Sequence, residues 1–142
     1  MKSRGFTLVE VLIVVVIMAV LAATILPQFT NSTYQAEEAA ALCNLNHLRS
    51  QISLYKAHHV RSIPSATLAE MLNKTDYQGN IGTGSEHIYG PYLRELPKNT
   101  LNDKSSVEAV SATPTSGDGS HGWMYRAETG EIWLDDVKLF GR

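Results

Sequence analysis

From Val11 to Ala36 the chain carries no charged side chain, and the segment from Phe6 to Leu26 is mostly Val, Ile, Leu, Ala and Met. A helix of about 20 such residues matches the thickness of a bilayer's hydrocarbon core. A small water-soluble domain has no interior deep enough to hide that run on every side. Lys2 and Arg4 precede the run and no comparable basic cluster follows it. The positive-inside rule therefore predicts a cytoplasmic N-terminus and a C-terminal part carried across the membrane. A secretory signal peptide would have a shorter apolar region before its cleavage site, and Ala22-Ala23-Thr24 follows a run too long for that reading. The anomaly is Glu10. A carboxylate at bilayer depth costs roughly 2.5–3.5 kcal/mol on insertion scales, so something must offset its charge or use it.

Charge divides unevenly. Residues 1–36 hold Lys2, Arg4 and Glu10, a net of +1, while the remainder holds ten basic and thirteen acidic residues, a net of −3. A mildly acidic C-terminal part offers no electrostatic footprint for nucleic acid. Cys43 is the single cysteine, which excludes an intrachain disulfide, and its neighbours suggest a small buried apolar residue.

Beyond the apolar run, Ala41, Leu45, Leu48, Ile52, Tyr55 and His59 recur at spacings of four and three, one face of an amphipathic helix. The pattern predicts one long helix from about Phe6 to about His59, loosened or kinked at Pro27 and ended by Ile63-Pro64. Ser65 is expected to cap a short helix reaching Leu72. Residues 74–106 are loop-like, with Tyr89, Tyr92, Leu93 and Leu96 as anchors. Val107 to Ala112 reads as a strand, and Gly122–Ala127 with Glu131–Asp135 flank Glu128-Thr-Gly130 as a hairpin. Trp123, Tyr125, Ile132 and Leu134 share the face that would pack on the helix. The fold class is α+β: a long N-terminal helix, its first half transmembrane and its second half amphipathic, packed on a small antiparallel sheet. His47, His58 and His59 do not complete a metal site, and His59 reads as a packed residue.

The stretch Arg4-Gly5-Phe6-Thr7-Leu8-Val9-Glu10 and its unbroken apolar continuation resemble the type III signal of type IV pilins and pseudopilins. The resemblance implies that a prepilin peptidase cuts after Gly5 and methylates the new amine of Phe6. Residues 1–5 would then be a leader, 6–27 a membrane anchor and filament core, and 28–142 a periplasmic head. It also implies that Glu10 pairs with the amine of a neighbouring subunit during filament assembly. Tyr89–Asn99 and the Trp-x-Tyr hairpin are similar to features of the major pseudopilin of type II secretion systems, the general secretion pathway protein G family. That family implies an inner-membrane subunit which self-associates with minor pseudopilins and an assembly platform into a filament driving protein export. The alternative is a type IV pilin for adhesion, motility or DNA uptake, many of which close a C-terminal loop with a disulfide. Neither reading makes the chain an enzyme. Asp118 and His121 lie close in sequence, but no nucleophile motif joins them. Relatives of the major pseudopilin bind calcium near the C-terminus, so Asp118, with Asp103, Asp135 or Asp136, is a weak calcium candidate. No other cofactor is implied.

Overall fold

A computed structural model describes residues 5–60 and 62–137, apart from the side chains of residues 24–31. Lys2 and Arg4 lie outside the described residues. The chain divides into two units, Met1–Ala36 and Glu37–Arg142. Five elements follow in order: α1 (Leu8–His58), α2 (Ala69–Leu72), β1 (Val107–Ala109), β2 (Trp123–Arg126) and β3 (Glu131–Leu134). The bounds of α1 pass through Pro27, which, as expected, does not end the helix.

The second unit is built on the predicted stripe. Ala41, Leu45, Leu48, Ile52, Tyr55 and His59 are all no more than 2% exposed. Trp123, Tyr125, Ile132 and Leu134 join them in one apolar cluster, completed by Leu68, Met71 and Leu93. Each large side chain fully buried in this way stabilises the head by roughly 1.5–3 kcal/mol. Polar groups pin the same surfaces together. Arg49 donates to the Ile132 carbonyl at 3.2 Å, Lys56 to the Thr129 carbonyl at 2.6 Å, and the Tyr125 hydroxyl to the Pro64 carbonyl at 2.9 Å. His59 is saturated: Nδ1 lies 2.9 Å from the Tyr55 carbonyl and Nε2 3.0 Å from Thr75 Oγ1. It is a packed residue, as its place in the stripe implied.

β2 and β3 form the expected antiparallel hairpin, with Trp123 opposite Leu134 and Tyr125 opposite Ile132. Gly130 closes it with φ of 72°, a left-handed conformation that other residues adopt only with strain. β1, however, pairs parallel to β2, so the three-stranded sheet is mixed rather than wholly antiparallel. A parallel pair needs a crossover of about a dozen residues, and residues 110–122 supply it without a helix. That segment covers the outer face of the sheet, which is why Met124 is buried although it points away from the helix. The strand itself is Val107–Ala109, shorter than the pattern suggested.

Two further expectations are corrected. Cys43 is exposed, on the helix face away from the core. Ser65 does not cap α2: Leu68, in a left-handed conformation, precedes that helix and makes no side-chain cap. Ser65 instead donates through N and Oγ to Glu70 Oε2, at 3.0 and 2.8 Å, closing the turn before α2. The Tyr89–Asn99 segment is anchored as expected. The N–H groups of Tyr92 and Leu93 both donate to the Met71 carbonyl at 2.9 Å, Leu93 is buried, and Tyr92 and Leu96 pack on the core.

Candidate functional site

The N-terminal unit presents the first site. Gly5 is exposed, with open space where a side chain would stand, and Phe6 is 84% exposed. The open backbone at Gly5 is the feature a peptidase needs for close approach. α1 starts on a reciprocal pair that joins Thr7 and Glu10. Glu10 Oε2 accepts from the Thr7 N–H and the Thr7 hydroxyl, both at 2.8 Å, while Thr7 Oγ1 accepts from the Glu10 N–H at 3.2 Å. This is a capping box, which satisfies helix-start donors that have no intrahelical partner. Thr-x-x-Glu before an apolar run is its sequence signature. Within a single chain, then, the carboxylate is answered by its own helix start.

Past Glu10 the helix has no apolar partner among the described residues of its unit. Its large apolar side chains from Leu8 to Leu21 are all between 46 and 82% exposed, on every side of the helix. Among the described residues no helix is long and apolar enough to cross a membrane. Along α1 the described side chains break off at residue 23 and resume at residue 32. Thr24, Ile25 and Leu26, the end of the apolar run, lie in that gap.

A second constellation sits at one end of the sheet, in the last part of the crossover. Asp135, fully buried, organises it. Its Oδ1 accepts from the N–H groups of Asp118 and Gly119 at 2.8 and 2.9 Å, and its Oδ2 from that of His121 at 2.8 Å. Asn99, also buried, donates from Nδ2 to the carbonyls of Gly122 and Asp135 at 3.2 and 3.4 Å. Asp118 is exposed and turns back on its own loop, with Oδ1 accepting from the Ser120 N–H at 2.8 Å. Hydrogen bonding from Ser120, side chain and backbone, holds its carboxyl below the ordinary value. Asp118, Asp135 and Glu108 line one cavity of about 290 Å³, whereas Asp103 is turned to Lys98 Nζ at 2.8 Å. The sequence reading singled out Asp118 and missed Glu108, since it could not foresee that β1 would lie parallel beside β2.

Comparison with known proteins identifies the class. Residues 1–26 match the family described as the prokaryotic N-terminal methylation motif. The type II secretion system core protein G of Vibrio cholerae is 34% identical over 134 residues, covering 85% of this chain and 87% of that protein. The fimbrial protein of Neisseria meningitidis is 27% identical over 122 residues, covering 86% of this chain and 72% of that protein. The core protein G of Dickeya chrysanthemi is 35% identical over 60 residues, only 39% of its length. No solved structure matches at a significant level. The chain belongs to the pilin-like pseudopilins, the family that includes type II secretion system core protein G.

Proposed function

We propose that this chain is a structural subunit of a type II secretion pseudopilus. The observation that carries the reading is the apolar surface of α1, exposed on every side within the residues that match the methylation motif. Apolar area of that extent in water is strongly unfavourable, so lipid or other helices must cover it. Before assembly the cover is the inner membrane, with Lys2 and Arg4 on the cytoplasmic side and the head in the periplasm. A prepilin peptidase removes residues 1–5 and methylates Phe6. On extraction the helices of further copies replace lipid, so that self-association buries the same surface in the core of a filament. Minor pseudopilins and an inner-membrane assembly platform are the partners this process needs. The chain itself needs no catalytic group.

Glu10 decides register in this scheme. While the subunit waits, its carboxylate serves the capping box with Thr7. In the filament it meets the ammonium of Phe6 on a neighbour, and a wrong stagger leaves two buried charges unpaired. The alternative, a type IV pilin, is favoured by the similarity to the Neisseria fimbrial protein along 86% of this chain. The coverage of the Vibrio core protein G and the lone Cys43, which cannot form an intrachain disulfide, favour the secretion reading. Deleting the gene separates the two. Retention of exported enzymes in the periplasm supports the pseudopilus, whereas loss of surface pili with normal export overturns it.

A further inference from the structure

The end of the sheet that Asp135 organises brings together ligating groups from three separate stretches of chain. Glu108 comes from β1, His121 from the loop entering β2, and Asp135 directly follows β3. One ligand atom from each lies within 4.8 Å of the other two. His121 Nδ1 is 3.9 Å from Glu108 Oε2 and 2.8 Å from Ser120 Oγ. The parallel pairing of β1 with β2 creates this meeting, because it sets Glu108 beside Met124 on the outer face, under the crossover.

A second observation concerns charge. The Asp135 carboxylate is wholly buried, yet among the described residues no Lys or Arg pairs with it. The nearby ammonium of Lys104 is held instead by the carbonyls of Gly119 and Ser120, at 2.8 and 2.9 Å. Three N–H donors satisfy part of the carboxylate, which has about four lone-pair positions. A buried anion of this kind is stabilised by a cation.

We propose that Glu108, His121 and Asp135 bind a zinc(II) ion. The donor set selects the metal: one imidazole nitrogen with two carboxylate oxygens suits zinc, whereas calcium and magnesium take oxygen ligands. Three protein ligands leave one tetrahedral position for water. Ligand atoms around zinc stand roughly 3.4 Å apart, so the cluster must contract slightly. The movable partners are the Glu108 and His121 side chains, which are 44 and 38% exposed, while Asp135 stays fixed by its three N–H donors. Bound zinc would tie β1, the crossover and the end of β3 into one unit. The site stands independently of the filament reading.

The test uses the full chain in detergent, stripped with a chelator and titrated calorimetrically with zinc chloride. One zinc per chain is expected, with an upward shift of the thermal midpoint. Glu108→Gln and His121→Ala should each weaken zinc binding by about tenfold or more. Their metal-free midpoints should stay within about 2 °C of the parent, since both side chains are partly exposed. Three outcomes would overturn the proposal: no stoichiometric zinc binding, zinc binding unchanged in both variants, or a preference for calcium that His121→Ala leaves intact.

Discussion

The two halves of α1 share a helical backbone and differ in where they find cover. Between Leu8 and Leu21 every large apolar side chain is at least 46% exposed, whereas the stripe from Ala41 to His59 is at most 2% exposed. The second half is amphipathic and meets its partner, the hairpin of β2 and β3, inside the same chain. The first half is apolar all round, and one face of a small sheet could never satisfy it. On the proposed function its partner comes from outside the chain. The same contrast applies to charge: Lys56 and Arg49 reach fixed carbonyls of the head, while Glu10 turns to Thr7 at its own helix start.

Substitutions at matched positions should separate the halves most sharply. Leu48→Ala removes a fully buried side chain and should cost the head about 2–5 kcal/mol, read from thermal or denaturant unfolding. Val14→Ala, on the exposed half, should leave that transition where it is. A shift of equal size at both positions would break the distinction between them.

Asp135→Ala tests the polar counterpart of that packing. Three N–H groups lose a charged acceptor, at a cost of about 2–3 kcal/mol. Hydrogen exchange should accelerate at Asp118, Gly119 and His121 while the N-terminal half of α1 is unaffected.

Alkaline pH gives a smaller, graded effect confined to the head. Burial pushes the Tyr125 hydroxyl well above its ordinary value and Tyr92 up to about 12. A raised tyrosine contributes stability that is complete below the unfolded value of about 10. As pH rises past that point the unfolded chain ionises first, and stability falls until the folded hydroxyl ionises as well. Tyr125→Phe should flatten this fall between about pH 10 and 12, at the cost of the hydrogen bond to Pro64. The smallest effect is expected at Cys43. Because its side chain is exposed, Cys43→Ser should change stability by no more than about 0.5 kcal/mol.

Much of this was readable in the residues. The stripe from Ala41 to His59 and the hairpin around Gly130 obey local periods, so their burial followed from spacing alone. Cys43 misled because its neighbours are apolar, although two residues of helix turn it about 200° from Ala41 and off the stripe. The direction of β1 was not legible, since a glycine- and serine-rich crossover fixes neither hand nor direction. The buried role of Asp135 depends on that same crossover folding back over it. Thr7 and Glu10 were legible as a capping box, but membrane cost drew attention to the charge of Glu10 rather than its geometry.

The claim that joins these observations is that the charge of Glu10 acts between subunits, while its hydrogen-bonding shape acts within one. Glu10→Gln separates the two, because glutamine also serves in a capping box but carries no charge. Filament yield should be measured beside the mature N-terminal mass in the parent and the Glu10→Gln chain. Normal removal of residues 1–5, normal methylation of Phe6 and a loss of filaments are the predicted result. Filaments at the parent's yield from the uncharged variant would contradict it.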